Sequence, residues 1–454
     1  MSKITKLINT PNIFFKDMAY KTLTQRLPML LDNLGNRLEV FDTSPSPAKK
    51  VPVTKRPVSS TKADNSVAAK TIIPSSINLS HINLLSPIYH IIHTGEGMTH
   101  GPSHLSLWIP TFLTTQISFA VIVRNVDLYN WVVEKYPFIN VAYAKTPIDI
   151  ENLLNNMAFL KGIFYPSNTG NNIHCLRFNV YEHIFIGHGD SDKSASAHKF
   201  FRVYDQVWVA GQAHIDRFKN AQFNTNHIDF VKVGRPNLSS VLEVSKTPWH
   251  KRMVNNVLYL PTWEGVYEES NYSSLRLSGV MLQSIIEKFG LLVSTKLHPV
   301  TGSRDPSLKN IQSKLQLALE SKGKEILFHG PSINISELVL RSNLFICDIS
   351  AVVSECLAAD APIFVYIPKD REINVSQSDM NYEDYCYTFS TVPELLAKIE
   401  QVLQGDDYLR ESRRQAMEYI LSANSIAQDQ FAIELRKLAE KNYLIDNMRM
   451  FVQQ

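Results

Sequence analysis
The sequence predicts an α/β protein built from two doubly wound parallel sheets in succession. Short apolar runs alternate with helical patterns over residues 77–235, and the alternation starts afresh over 236–425. Strands alternating with helices pair in parallel and need helices on both faces. Three stretches at the ends of apolar runs place polar side chains where such sheets bind ligands. They are Ile186-Gly187-His188-Gly189-Asp190, Thr295-Lys296-Leu297-His298-Pro299 and Cys347-Asp348-Ile349-Ser350.

The 454 residues suffice for two or three domains. A content of 44% hydrophobic and 20% charged residues is that of a water-soluble globular chain. No apolar run approaches the roughly 20 residues that span a bilayer. The first residues lack the apolar core and cleavage site of a secretory signal. Cys175, Cys347, Cys356 and Cys386 form no CxxC pair and no disulfide framework, so a reducing, cytoplasmic setting is expected. The net charge of +3 is uneven, because residues 1–70 carry twelve Lys or Arg against five Asp or Glu. A basic arm of this kind either meets an anionic surface or polymer or is simply solvated.

Residues 1–42 read as an amphipathic helical segment, with Ile4, Leu7, Ile8, Phe14, Phe15 and Met18 apolar and Lys3, Lys6, Lys16, Lys21 and Arg26 basic. Such a segment can lie in a membrane interface, pack on its own protein or pair with a second copy. Residues 43–76, rich in Pro, Ser and Lys, cannot bury a core and read as a flexible linker. First-unit strands are expected at Ile88–Ile92, Ile117–Val123, Ile139–Tyr143, Ala158–Phe164, His183–Ile186 and Val207–Val209, with helices such as Leu128–Lys135 and Ile148–Met157 between them. The Gly-rich stretch 95–101 resembles a phosphate loop without GxGxxG spacing, and reads equally as loop geometry or as an acceptor-binding turn. Second-unit strands are expected at Val257–Leu260, Leu291–Leu297, Glu325–Phe328, Leu344–Cys347 and Ile363–Tyr366. Helices are expected at Ser273–Phe289, Ser307–Ser321, Ser336–Arg341 and Val392–Leu403. The charged tail, including a C-terminal helix in 426–454, is expected to pack back across the first unit.

His188 sits between two glycines after an apolar run, so the backbone can turn sharply and leave the imidazole at the sheet's open edge. An imidazole there suits proton removal from an attacking hydroxyl near neutral pH. Lys193 follows closely enough to offset negative charge, and Asp190 or Asp192 to orient the ring. Lys296 and His298 alternate at the end of an expected strand and so point to one side, which suits a diphosphate. Asp348 and Ser350 stand at a strand-to-helix corner with Glu355 about one turn further on. A carboxylate there suits ribose hydroxyls and a hydroxyl suits phosphate, while plain N-capping would use the same two residues. Thr262, in Pro261-Thr262-Trp263, offers another hydroxyl, and Arg235, in Gly234-Arg235-Pro236, either reaches a phosphate or marks a hinge. No His, Cys, Asp or Glu spacing argues for a bound metal.

In order, the segments HGDSDK, YDQVWVAGQAHIDRF, VGRP, LPTWEG, KLHP and FICDISAVVSECLAADAPIFVY resemble the CDP-glycerol glycerophosphotransferase family, which makes teichoic acids and related phosphate-linked capsule polymers. They span roughly residues 180–405. Two departures are Lys296, where the family usually has Arg, and Glu264, where an Arg commonly follows PTW. The resemblance implies a GT-B fold of two Rossmann-like domains, with a CDP-alcohol bound mainly by the second. It implies that an acceptor hydroxyl attacks the donor's β-phosphate and CMP leaves. His188 and His298 are then the expected catalytic residues, His188 as the base. Lys193, Arg235, Thr262, Lys296, Asp348, Ser350 and Glu355 are the expected donor-binding ones.

No cofactor is expected beyond CDP-glycerol or a similar CDP-alcohol as donor substrate, and no nucleic acid. The N-terminal segment LINTPNIFFKDMAYK is similar to the start of Gram-negative capsule-synthesis enzymes. The two likenesses imply a transferase at the inner face of the cytoplasmic membrane, acting on a polysaccharide or lipid-linked acceptor. Its N-terminal arm would meet a membrane surface or capsule-assembly complex. Two other readings stay open: a GT-B glycosyltransferase using a nucleotide sugar, and a non-catalytic nucleotide-binding subunit of a capsule-assembly complex.

Overall fold
The computed structural model describes residues 80–82, 87–189, 197–252, 256–330, 333–375, 378–427 and 429–441, all within the unit Ile73–Gln454. The expected N-terminal segment 1–42, the linker 43–76, Lys193 with Asp190 and Asp192, and residues 442–454 lie outside the described residues.

Among the described residues the strands form two sheets. The first contains β1 (Ser80–His81), β2 (His90–Thr94), β3 (Phe119–Val123), β4 (Asn140–Tyr143), β5 (Gly162–Tyr165), β6 (Glu182–Phe185), β7 (Gln206–Val209) and β8 (Asp229–Lys232). Its spatial order is β1-β4-β3-β2-β5-β6-β7-β8. Pairing is parallel throughout apart from the short β1, which runs antiparallel to β4. The second contains β9 (Asn256–Leu260), β10 (Leu292–Thr295), β11 (Leu327–Phe328), β12 (Leu344–Asp348), β13 (Ile363–Tyr366) and β14 (Tyr387–Phe389). Its order is β11-β10-β9-β12-β13-β14, all parallel.

The central strands are legible in sequence because parallel sheets bury both faces. Every residue of β2, β3, β12 and β13 is buried. The edge strands β8 and β14 lack that signature, and the apolar pattern does not announce them. In both sheets the chain moves outward on one side and then returns to the other side of its starting strand. The order therefore reverses between β2 and β5 in the first sheet, and between β9 and β12 in the second. A crevice opens at the C-terminal ends of the strands at such a reversal.

The stretch 95–101 is the lead into a helix that the sequence reading left out, α1 (Gly101–Thr114). Pro102 suits its first turn, and Pro110 interrupts its interior by removing one backbone donor. Burial of Leu105, Ile109 and Phe112 against the first sheet holds the helix together despite Pro110. Helices α2 (Val126–Lys135) and α3 (Pro147–Asn155) start on side-chain caps from Asn125 and Thr146. In the second lobe, α4 (Ser278–Phe289) ends on Gly290, which adopts a left-handed φ of 63°.

The chain then crosses back. Helix α5 (Arg410–Leu421) packs on the second lobe's core and reaches the first, where Tyr419 donates to Asp216 at 2.9 Å. Helix α6 (Gln430–Glu440) completes the first lobe's core with Phe431, Leu435 and Leu438. His90, at the start of β2, donates through Nε2 to the Leu435 carbonyl at 3.1 Å.

Helix α5 is anchored by Arg413, whose side chain is fully buried. Its guanidinium donates to both oxygens of Asp407 at 3.0 and 2.7 Å and to Asp360 at 3.3 Å. Trp249 and Tyr387 also donate to Asp407, both at 2.9 Å. Removing one partner of a buried, hydrogen-bonded ion pair strands the other charge. Arg413→Ala is expected to lower unfolding stability by about 3–5 kcal/mol, measured by urea denaturation against the unaltered chain.

Candidate functional site
The site forms where the loop after β6, bonded back to the end of β5, meets the corner after β12. In the first lobe β6 ends at Phe185, and Gly187 takes a left-handed φ of 63° that turns the chain and presents His188. His188 Nδ1 lies 2.9 Å from the carbonyl of Pro166, the residue just past β5. A carbonyl can only accept, so Nδ1 carries the proton and Nε2 keeps its lone pair. His188 is exposed at the surface, yet protein atoms crowd around its imidazole. Crowding, with a smaller contribution from the charge of Arg235, holds His188 below the ordinary histidine value, against the opposing bond to Pro166. It is therefore a neutral imidazole near pH 7, with its basic nitrogen unprotonated.

Two side chains from α1, both missed by sequence reasoning, grip this loop. His104 stacks on His188 with ring centroids 3.9 Å apart and planes 15° from parallel. Trp108 donates from its indole nitrogen to the Gly187 carbonyl. The available signal was the spacing of four between His100, His104 and Trp108, which puts all three on one helix face.

In the second lobe Asp348 ends β12 and is fully buried. Its carboxylate accepts from the backbone N–H of Thr262 at 2.8 Å and of Ser274 at 3.1 Å. Asp348 thus ties the end of β9 to the end of β12 rather than presenting a carboxylate to a ribose. Ser350 donates from its hydroxyl to the Asp348 carbonyl at 3.1 Å. The alternative reading, N-capping, does not occur: the helix Val352–Leu357 is six residues long and has Ala351 at its N-cap without a side-chain cap.

Lys296 and His298 lie beyond β10, which ends at Thr295, so strand alternation does not set their directions. Lys296 donates to the Ile333 carbonyl, and burial lowers its affinity for a proton while the Glu355 and Glu337 carboxylates support it. His298 accepts at Nδ1 from Val300 N–H at 3.4 Å and stacks on Trp263 at 6.2 Å. That tautomer leaves Nε2–H as a donor. Thr262 is buried, and its carbonyl accepts from the Ser273 hydroxyl at 2.9 Å.

The two halves meet at His188's neighbour. A Cβ placed on Gly189 would lie 2.6 Å from the Cβ of Ala351, so the His188 loop rests directly on the Ser350 corner. Arg235, buried after β8, lines the same small cavity as Gly187 and Gly189. Its Nε and Nη2 are buried without a hydrogen-bond partner. Its charge acts on His188 in one lobe and on Glu355 in the other. Burial raises Glu355, and the cations Arg235 and Lys296 oppose that rise. His188, Arg235, Ser350, Glu355 and Lys296 thus share one electrostatic neighbourhood. Among the described residues no group of His, Cys, Asp or Glu could hold a metal ion, and no helix is long and apolar enough to cross a membrane.

No family model and no curated protein matches the chain. Solved structures do. A variant of the wall teichoic acid polymerase TagF soaked with CDPG superposes with a TM-score of 0.51 at 13% identity, covering 77% of this chain and 88% of that one. A second TagF variant gives a TM-score of 0.50 at 15% identity over 78% and 90% of the two chains. At such identities the likeness is one of fold. Two parallel sheets of reversing order, closed by a C-terminal crossing helix, make this chain an α/β protein of the GT-B fold.

Proposed function
We propose that the chain is a transferase moving glycerol phosphate, or another polyol phosphate, from a CDP-alcohol to a hydroxyl of a capsule or teichoic-acid-like acceptor. The observation that carries this reading is the junction of the His188 loop with the Ser350 corner, with Arg235 buried and incompletely bonded beside it. A base with Arg235 beside it, and Lys296 in the other lobe coupled through Glu355, suits transfer of a phosphate-bearing group.

In this reading His188 Nε2 takes the proton of the acceptor hydroxyl as its oxygen attacks the donor β-phosphorus. A new P–O bond forms, the bridging P–O bond breaks, and CMP leaves with the electron pair. Arg235, Lys296 and the Nε2–H of His298 face the charge that develops on the departing phosphate. Glu355 keeps the two cations balanced before the donor arrives. Ser350 lies at the cytidine-phosphate end, and Asp348 acts through Thr262 by holding the reversal-point loop. The acceptor is read from the family resemblance, as is a place at the inner face of the cytoplasmic membrane.

Incubating the full chain with CDP-glycerol, other CDP-alcohols and nucleotide sugars is expected to release CMP from a CDP-alcohol alone. Nucleoside diphosphate release from a sugar donor would replace this reading with a glycosyltransferase. His188→Ala is expected to lower kcat roughly 10²- to 10⁴-fold, the span of general base catalysis. Because the base must be unprotonated and its proton affinity is depressed, kcat/KM should stay flat through neutral pH. It should fall only on acidification past a midpoint below the ordinary histidine value, and a midpoint above that value would contradict the assignment. Gly189→Val puts a branched side chain into the contact with Ala351, and should reduce kcat with little change in thermal midpoint.

A further inference from the structure
We infer that His104 is a positioning residue for the base: its imidazole, lying flat on His188, fixes the plane of that ring so that Nε2 faces the cleft. The inference rests on the reading of His188 as the base and assigns a role to a side chain that reading does not use.

One hydrogen bond does not fix a ring. The contact from Nδ1 to the Pro166 carbonyl sets the tautomer and anchors one atom, but it leaves the imidazole free to tilt about that contact. Trp108, bonded to the Gly187 carbonyl, fixes the backbone from which the ring departs. The remaining freedom is the orientation of the ring plane. A parallel partner at 3.9 Å and 15° removes it.

His104 is placed for that task rather than for polar bonding. It is buried, with 7% of its surface exposed, and its Nδ1 has no hydrogen-bond partner. Burying a ring nitrogen unbonded is unfavourable, so the position is kept for the faces of the ring. One face lies on His188. His100 also lies near-parallel to His104, centroids 6.1 Å apart and planes 13° from parallel. Burial, with the neighbouring His188 and His100, pushes His104 down to about 2, so it stays uncharged beside the imidazolium that forms during turnover. The charged and titratable groups acting on His188 are then Arg235, Glu96, His100 and the His104 ring itself.

The test compares two variants of similar bulk in the full chain: His104→Phe, which keeps a flat face, and His104→Leu, which does not. Long-range ¹H–¹⁵N spectra of histidine-labelled protein, assigned with His188→Ala, report the tautomer and titration midpoint of His188 without any substrate. The unaltered chain and His104→Phe should show one Nδ1–H tautomer with a depressed midpoint. His104→Leu should show mixed tautomers and a midpoint moved up. With the donor identified above, His104→Leu should lose roughly 10- to 100-fold in kcat at unchanged donor KM, the scale of a misplaced reacting group. His104→Phe should stay within about threefold, since a stacked ring is retained.

A His104→Leu variant with native tautomer, midpoint and kcat would overturn the proposal. So would a folded His104→Phe variant as impaired as His104→Leu, or failure of both variants to fold, which would make His104 a packing residue. If His188→Ala leaves transfer intact, the base reading fails on its own, and the spectra still decide whether the stack orders the ring.

Discussion
A single buried carboxylate holds the second lobe's reversal point together. Asp348 ends β12 and accepts backbone hydrogen bonds from Thr262, just past β9, and from Ser274 before α4. Hydrogen bonds to a charged acceptor contribute about 1.5–3 kcal/mol each, roughly twice a neutral one. The Ser273 hydroxyl bonded to the Thr262 carbonyl and the Tyr259 hydroxyl bonded to Ser274 tie the same loops together. With Asp348 in place, the Thr262 loop and the Ser350 corner have a fixed relation, and the floor of the cleft is set before any ligand arrives.

The first lobe meets the same need differently. Its reversal point lies between β2 and β5, and His188 is bonded back to the end of β5 through Pro166. Helix α1, which follows β2, closes over the loop with His104 and Trp108. Both lobes thus bind the ends of the strands flanking the reversal to one another, one with a carboxylate and the other with rings. The lobes are not independent folding units either. Phe431, Leu435 and Leu438 of α6 complete the first core after the chain has built the second. The Arg413–Asp407–Asp360 network sets where that return begins.

Charge explains the composition of the cleft. Arg235 is buried with two nitrogens unbonded, an arrangement that is costly unless an anion shares the site. Lys296 adds a second cation, and Glu355 balances the pair. A phosphate-bearing ligand would replace that internal balance with its own charge. Arg235 belongs to the first lobe with His188, and Lys296 and Glu355 to the second, so the charges are shared across the junction.

The two-sheet architecture was legible in the sequence because the requirement is local. A strand buried on both faces must be apolar at nearly every position, as Ile363–Tyr366 is. The helix Val392–Leu403, capped by Thr391, was readable to the residue for the same kind of reason. His188 stood out through its flanking glycines, of which Gly187 takes the positive φ of the turn and Gly189 admits Ala351. Other parts of the site were decided by contacts between distant segments. Lys296 and His298 were read as strand residues but follow the strand's end. Asp348 and Ser350 were read as donor-binding residues, with N-capping as the alternative, but the Asp348 carboxylate goes to N–H groups more than seventy positions away in the chain. His104 and Trp108 carried only a spacing of four, interrupted in meaning by Pro110. Local periodicity determines which face of a strand or helix is apolar. Only the packing of the two lobes decides which polar ends face one another, since no periodicity within one segment encodes its distance from the next.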